Sequence, residues 1–256
     1  AMAESKKDER RTRLLAEVNH DPGILIRDLA TKLDVSRETI RRDFDALCEE
    51  GLIQRRYGGA VVRPTGNPLS FEARQDKHLS ERKAIVRKAH SLLQDEQVIM
   101  LGPGTTALLF AEELQTTEKH LTVITNGVRE ALALSTNGNV RVVLAPGEVD
   151  QLEGFAWGHE TTDFISKFNS DMVVFCADGL AVSGVSEADS RTVWTVRTMI
   201  ERSTQKMLLI DHFRFNETGL EQICAVSDLD MVVSDRKPDA ALLTELKANG
   251  VTFYDV

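Results

Sequence analysis

The sequence predicts an α/β protein with a small helical N-terminal domain and a larger domain built on a mostly parallel sheet. Three observations support this prediction. The first 63 residues contain three short amphipathic patterns and then an alternating stretch around a Gly-Gly pair. From residue 81 onward, short apolar runs alternate with helical stretches, as in the βα units of a parallel sheet. The 256 residues are enough for two domains, at ~100–200 residues each.

The composition is that of an ordinary globular protein, with 42% apolar and 28% charged residues. No apolar stretch approaches the ~18–20 residues that span a membrane, and no basic start leads into an apolar signal segment. Cys48, Cys176 and Cys224 are odd in number and far apart, which disfavours a disulfide framework or a CxxC site. We therefore expect a cytoplasmic protein with no membrane partner.

The first domain is predicted over residues 1–63 and begins with three helices, over about 5–18, 24–33 and 37–50. Their buried faces are predicted to carry Leu14, Leu15, Val18, Leu25, Leu29, Leu33, Ile40, Phe44 and Leu47. Ser36 is a suitable N-cap for the third helix, and Gly51 is a suitable stop. Residues 52–62 then predict a two-stranded hairpin. Two helices joined by a short turn and followed by a hairpin indicate a winged helix-turn-helix.

The charge of the chain is distributed in a way that leaves nucleic-acid binding open. The net charge is −9, but residues 1–63 hold 13 Lys and Arg against 12 Asp and Glu. Ten of those 13 cations are Arg, the side chain suited to phosphates and guanine edges. The remaining residues hold 18 cations against 28 anions, so the excess acid lies wholly in the second part.

Several polar side chains stand where a winged helix-turn-helix contacts DNA. The first turns of the third helix would enter the major groove, and the hairpin would meet backbone phosphates. The predicted contacts are Ser36, Arg37, Thr39, Arg41, Arg42, Arg55, Arg56 and Tyr57. The alternative is a solvated helix face on which Arg41 and Arg42 form local ion pairs with Asp43 and Asp45.

A linker is predicted over residues 64–80, which contain Pro64, Gly66 and Pro68 and lack clear periodicity. The second domain is predicted over 81–256. Its strands are expected over 98–101, 121–125, 140–145, 172–177, 207–210 and 231–233. Its helices are expected over 81–94, 105–115, 127–136, 158–167, 188–204 and 239–249.

Polar residues follow the predicted strands at the edge where parallel sheets bind ligands. Gly102, Gly104, Thr105 and Thr106 follow a strand and open a helix, whose free N–H groups suit an anion such as phosphate. The other strand-end groups are Thr125, Asn126, Gly147, Glu148, Asp178, Gly179 and Asp211. Each alone could serve as a helix cap or a packing turn. No Lys follows the glycine-rich turn, so a nucleotide-hydrolysing P-loop is not expected.

Two long motifs resemble the DeoR family of bacterial transcriptional regulators. The run VSRETIRRDF at 35–44 is similar to the family pattern VS-x-x-TIRRDL, with Phe44 in place of Leu. The run GLIQRRYGGA at 51–60 is similar to the family's wing pattern, G-x-L-x-R-x-x-GGA. The resemblance extends over nearly the whole chain and is patchier after residue 150.

The resemblance implies that the second domain is a sensor with the sugar-phosphate isomerase fold. The family's D-x-G-[ST]-T, T-N and G-G-E motifs match the turns that contain Gly104, Asn126 and Glu148. It further implies that an acid and two basic residues serve the site: Glu187, Arg197 and Arg214. The chain departs from the family motifs at Gly102, Pro146, Phe213, Arg214 and Asn216.

The predicted function is therefore a DNA-binding regulator, most simply a repressor of sugar or polyol catabolism whose operator binding responds to a phosphorylated sugar. Repeated DNA half-sites imply a dimer or tetramer. Two alternatives remain: a sugar-phosphate isomerase with a DNA-binding appendage, and a DNA-binding protein whose second domain only oligomerises. No catalytic, metal or cofactor motif is expected. His212 and then His159 are the histidines most suited to touch a ligand; the others are His20, His78, His90 and His120.

Overall fold

The computed structural model describes residues 10, 11, 13, 14, 17, 26–49, 53–56, 59–62 and 71–256. The chain divides into two compact units, Ala1–Ala73 and Arg74–Val256. This division falls inside the predicted linker, residues 64–80. The linker is not irregular throughout, because a helix that we call α3 covers Phe71–Gln75.

The first unit contains the predicted helices and hairpin. Residues 10, 11, 13, 14 and 17 are helical, and they are followed by α1 (Ile26–Lys32) and α2 (Arg37–Glu49). The turn between α1 and α2 has Asp34 in the left-handed region, at φ 52°. Strands β1 (Ile53–Arg56) and β2 (Gly59–Val62) pair antiparallel, with Ile53 opposite Val62.

The core of the first unit joins its helices along the predicted apolar faces. Its buried residues are Leu14, Leu29, Ala30, Leu33, Ile40, Phe44 and Leu47. The predicted core residues Leu15, Val18 and Leu25 lie outside the described residues. The third-helix face is confirmed, since Ile40, Phe44 and Leu47 are all at most 3% exposed.

The second unit alternates helices and strands as predicted. Its helices after α3 are α4 (Leu79–Leu92), α5 (Thr105–Glu113), α6 (Val128–Leu134), α7 (His159–Ile165), α8 (Ser190–Glu201) and α9 (Ala240–Ala248). The strands of the main sheet are β3 (Val98–Leu101), β4 (Leu121–Thr125), β5 (Val140–Leu144), β8 (Ser170–Cys176), β11 (Ser203–Leu209), β13 (Met231–Ser234) and β14 (Thr252–Asp255). The predicted fold class is confirmed.

All seven strands of the main sheet run parallel, in the order β14-β13-β11-β8-β3-β4-β5. The chain moves from β3 outward through β4 to β5 and then returns to the other side of β3 as β8. Alternate residues of the buried strands face α7, α8 and α9 on one side of the sheet and α4, α5 and α6 on the other. A sheet buried on both faces explains the continuous apolar runs in the sequence.

Several short strands were not predicted from the sequence, among them β14 of the main sheet. β6 (Glu148–Val149) and β7 (Ala156–Trp157) form a hairpin after β5. A separate antiparallel sheet has the order β12-β10-β9, formed by β9 (Gly179–Ala181), β10 (Gly184–Glu187) and β12 (Glu221–Cys224). These elements are two to four residues long, too short to show an alternating pattern. Within the described part of the chain, no helix has the length and apolarity needed to cross a membrane.

Candidate functional site

The exposed face of α2 carries the residues predicted to contact DNA. Arg37, Arg41 and Arg42 are exposed, and Thr39 is half-buried. Ser36 caps the helix, since its hydroxyl accepts the N–H of Thr39 at 3.1 Å. The first turns of α2 therefore present cationic side chains to solvent while its opposite face is buried in the core.

The acidic neighbours of these arginines do not neutralise them. Asp43 is only 3% exposed and pairs with Arg10, whose Nε lies 2.6 Å from its Oδ2. Arg42 lies 3.7 Å from the exposed Glu38, a weak surface pair. Arg37 and Arg41 form no ion pair with any residue that the structure describes. The alternative of a helix face held in local ion pairs is therefore unsupported for these two side chains.

The hairpin places two of the predicted phosphate contacts on β1. Arg55 lies opposite Ala60, and Arg56 lies opposite Gly59. Tyr57 lies outside the described residues.

Most of the predicted effector residues lie at the carboxyl ends of the parallel strands, whereas Glu187 ends β10 and Arg197 lies on α8. The reversal of strand order between β3 and β8 makes the loops after these two strands neighbours, and such a switch point is where open α/β sheets bind ligands. The Gly102 N–H donates to the carbonyl of Val174 in β8 at 3.0 Å. Gly104 has a φ of 137°, and a Cβ there would lie 3.3 Å from the Cys176 Sγ. The positive φ favours glycine at this position, and the absence of a Cβ leaves space for the thiol.

The loop over Gly102–Thr106 caps the N-terminus of α5. The hydroxyls of Thr105 and Thr106 make no hydrogen bond within the described part of the chain, and both residues are half-buried. The Gly104 N–H, in contrast, donates to Oε1 of Glu130 at 3.0 Å. The loop thus has donors available for an anion, and one of its amides already binds a carboxyl group of this chain.

Glu130 was not identified from the sequence. It lies on α6, is 2% exposed, and burial raises its pKa to about 7. The Gly104 N–H and the nearby Arg129 oppose that rise only partly. A carboxyl group titrating near neutrality is thereby placed against the predicted anion loop.

Thr125 is the last residue of β4, Asn126 follows it, and both are fully buried. The Thr125 hydroxyl donates to the Leu101 carbonyl and accepts the Gly127 N–H, so it holds the two neighbouring loops together. The Asn126 amide donates to the Ala156 carbonyl, whereas its Oδ1 is a buried acceptor with no partner among the described residues. A buried acceptor of this kind suits a hydroxyl donor from a ligand or a water.

Asp178, Glu187 and Arg214 come together after β8, β10 and β11. The carboxyls of Asp178 and Glu187 are close enough to act on each other's pKa, and Arg214 Nη1 lies 3.3 Å from Asp178 Oδ1. Burial and the adjacent Asp178 raise the pKa of Glu187, whereas the hydrogen bond from Glu187 and the charge of Arg214 outweigh burial and lower the pKa of Asp178. Burial and the closeness of the two carboxyls therefore favour a form in which the pair binds a proton more readily than two separate carboxyls would.

Asp211 and the buried Arg82 lie beside this cluster. Burial raises the pKa of Asp211, opposed by the charges of Arg214 and His78. Arg82, from α4, is 3% exposed and forms no ion pair with any residue that the structure describes. Burial lowers its pKa, and Asp211, Cys176 and Arg214 are close enough to act on its charge. Arg82 was not identified from the sequence.

The segment 74–78, which enters the sheet domain, is attached at this same edge by three contacts. Arg82 donates to the carbonyls of Arg74 and Lys77, each at 3.0 Å, and also to that of Gln75. The Arg74 guanidinium pairs with Glu153 in the β6–β7 loop. The ring of His78 stacks on Phe213, with centroids 3.7 Å apart. The loops after β6 and β11 therefore hold the segment that leads to the first unit.

Other predicted residues have different surroundings. Arg197 Nη1 lies 2.8 Å from Glu221, and its other nitrogens donate to carbonyls of β12, so it braces the small sheet. Glu148 is exposed on β6. Gly147 and Gly179 lie where a Cβ would collide with Thr161 and with the Glu217 carbonyl, so they allow close packing.

The two histidines suggested as ligand contacts are placed differently. The His212 ring nitrogen and backbone N–H both bond to Asp235, which orients this histidine towards the end of β13. His159 begins α7. At the opposite edge of the sheet, Asp95, Glu96 and His120 lie close together but are all exposed, which gives no reason to assign a metal.

The chain matches two family models that together cover most of its length. The DeoR-like helix-turn-helix domain matches residues 10–65, and the DeoR C terminal sensor domain matches residues 77–236.

Two curated relatives are similar over most of both chains. The glycerol-3-phosphate regulon repressor of Escherichia coli is 28% identical over 242 residues, which cover 94% of this chain and 96% of the relative. The L-fucose operon activator of Haemophilus influenzae is 30% identical over 229 residues, which cover 88% of this chain and 91% of the relative. Among solved structures, ribose 5-phosphate isomerase A of Methanocaldococcus jannaschii aligns with 52% of this chain and 53% of its own, at 16% identity and a TM-score of 0.39.

The buried carboxyl of Glu130 predicts an unusual dependence of stability on pH. Because its folded pKa, about 7, lies above the ordinary value of 4.5, the folded chain binds the proton more tightly than the unfolded chain does. Its contribution to stability is fully present below pH 4.5 and is lost as the pH rises to 7. We expect Glu130→Gln to remove on the order of 2–3 kcal/mol of the decline between pH 5 and 8.

The measurement is urea unfolding of both proteins across this range, with Glu112→Gln as control. Glu112 is an exposed carboxylate on α5, so its removal tests the effect of charge alone. Parallel pH profiles for wild type and Glu130→Gln would show that Glu130 titrates normally.

Proposed function

The chain belongs to the DeoR family of DNA-binding transcriptional regulators, and on that basis we propose that it regulates sugar or polyol genes in response to a phosphorylated sugar or related metabolite. Members of this family are regulators and not enzymes, so the isomerase alternative is set aside. The relatives include a glycerol-3-phosphate regulon repressor and a lactose phosphotransferase system repressor of Staphylococcus aureus. We propose repression because these relatives are repressors. One other relative is an activator, so the direction of regulation is to be measured.

The Gly102–Thr106 loop is the observation on which the effector proposal rests. It lies at the switch point of the sheet and offers two unbonded hydroxyls at the N-terminus of α5. The neighbouring strand ends add the acceptor of Asn126 and the Asp178–Glu187–Arg214 cluster, which suit the hydroxyls of a sugar or polyol. We propose the effector residues named from the sequence and add Glu130 and Arg82. Arg197 and Glu148 are less suited to the site, because Arg197 braces the small sheet and Glu148 is exposed.

The DNA is proposed to be read by α2 and held by the hairpin. Arg37 and Arg41 are exposed and carry no intramolecular ion pair in the described structure, so they are free to meet guanine edges. Arg55 and Arg56 on β1, with Tyr57, would contact phosphates and set the register without reading bases. Half-sites of operator DNA favour a homo-oligomer, a dimer or a tetramer.

The effector signal is proposed to leave the site through the segment 74–78. Arg82 donates hydrogen bonds to three carbonyls of that segment, and it interacts electrostatically with Asp211 and Arg214. An anion near Arg214 would also be attracted to the charge of Arg82. A shift of the loop after β11 would disturb the stacking of His78 on Phe213. An effector that binds the two arrangements of these contacts unequally would shift their populations and with them the affinity for DNA.

Substitution of Arg41 tests whether α2 reads bases. Arg41→Ala is expected to cost ~1–3 kcal/mol on the cognate operator and far less on random DNA. The exposed Arg27, which pairs with Asp28 on α1, provides a matched control as Arg27→Ala. An equal loss on both DNAs for Arg41→Ala would make that residue a phosphate contact.

Substitution of Arg55 tests the role of the hairpin. Arg55→Ala should weaken binding to all sequences alike and reduce the slope of log affinity against log salt concentration by ~1.

A thermal-shift panel of sugar phosphates and their unphosphorylated parents tests the effector class. A ligand at ~100 times its dissociation constant stabilises by ~2.7 kcal/mol, which moves the midpoint by several degrees at ~2–4 °C per kcal/mol. We expect a shift from a phosphorylated compound that its parent does not give. Thr105→Ala and Thr106→Ala should reduce it, whereas Thr244→Ala, on the exposed face of α9, should not.

The same panel also tests the remaining alternative, a second domain that only oligomerises. A shift that the threonine variants leave unchanged would move the anion away from the Gly102–Thr106 loop. No shift from any member would favour a second domain that only oligomerises.

A further inference from the structure

The carboxyl of Glu130 lies against the Gly102–Thr106 loop, on which the proposed anion site rests. Its Oε1 accepts the N–H of Gly104 at 3.0 Å, and Gly104 is the N-cap of the nine-residue helix α5. Free amides at a helix N-terminus are what attract a phosphate. The amide of the N-cap residue is therefore already used by an acidic side chain of the same protein.

The surroundings show that the chain makes room for this carboxyl. A Cβ at position 127 would lie 2.0 Å from Glu130 Oε2, so the glycine there leaves room for the carboxyl in its present position. Asn126, one residue earlier, has a buried Oδ1 that no described residue satisfies. The Asn126 Oδ1 and the Glu130 carboxyl thus place two oxygen acceptors at the start of α6, and the Glu130 carboxyl lies against the loop predicted to bind an anion.

Few charged or titratable groups act on Glu130. Arg129, from its own helix, favours the ionised form, and α5 contributes the Gly104 amide. The thiol of Cys176, on β8, is close enough for the charge of Glu130 to act on it, and burial raises the pKa of that thiol to about 12, which keeps it neutral near pH 7. Burial is the largest influence on the acid, and the proton it holds titrates close to neutrality.

An ionised carboxylate and a phosphate cannot share this loop without strong repulsion, because both charges would lie in surroundings of low polarity. We propose that Glu130 is a specificity-determining residue of the effector site, which admits an anionic group to the Gly102–Thr106 loop only when it is protonated. This inference rests on the proposed function, since it concerns the anion of the same effector. Binding of that anion then takes up one proton, and the site favours an effector whose anion is flanked by an acceptor for the Glu130 O–H.

The test measures binding of inorganic sulfate, which stays doubly charged from pH 6 to pH 8, to the full chain by calorimetry. For the wild type we expect the affinity to fall about tenfold over this range, as the protonated fraction of an acid titrating near pH 7 falls. Glu130→Gln should bind with nearly constant affinity and, at pH 8, about tenfold more tightly than the wild type. Glu112→Gln should follow the wild type.

A second measurement needs no variant. Calorimetry in two buffers of different ionisation enthalpy should show the wild type taking up about one proton per sulfate at pH 8. A wild-type affinity that is constant with pH, or a pH dependence that Glu130→Gln keeps, would overturn the role of Glu130 while leaving the phosphate effector in place. Failure of sulfate and of every sugar phosphate to bind any of the three proteins would overturn both proposals together.

Discussion

The strand order of the parallel sheet is the constraint on which the arrangement of the site depends. Because β8 returns beside β3, the loops after these strands meet, and Gly104 packs against Cys176. The parallel direction of all seven strands brings every other strand-end loop to the same edge. Residues separated by more than a hundred positions, from Arg82 to Arg214, thereby act on one another's charge.

Charge at this edge is only partly compensated within the protein. Arg82 is buried against backbone carbonyls and has no carboxylate partner among the described residues, although Asp211 and Arg214 are near. Glu130 is buried against an amide. Buried charges without close partners are costly to a fold and are typical of places where a ligand completes the set. The contacts of Arg82 also explain how such a ligand could influence the segment that leads to the DNA-binding unit.

The sequence predicted the regular parts of the fold because their periodicity is long enough to be seen. Strands β3 and β4 lie where predicted, and the exposed arginines of α2 follow from the position of its apolar stripe. Two site residues were missed for a common reason. Arg82 stands in a charged run with Glu81 and Lys83, and Glu130 follows Arg129, so both resemble solvated helix positions. Only tertiary packing buries them. Arg197 was expected in the site from a family pattern, but its guanidinium instead bonds to Glu221 and to a carbonyl of the short strand β12, which the sequence did not predict.

Hydrogen–deuterium exchange of the full chain, with and without the sugar phosphate that stabilises it, tests the central claim that the effector site controls the segment 74–78. We expect the effector to change protection at the Gly102–Thr106 loop and also in residues 74–82, where Arg82 donates to the backbone carbonyls. Changes confined to the loops at the carboxyl ends of the strands, with residues 74–82 unaffected while DNA affinity still responds, would contradict it.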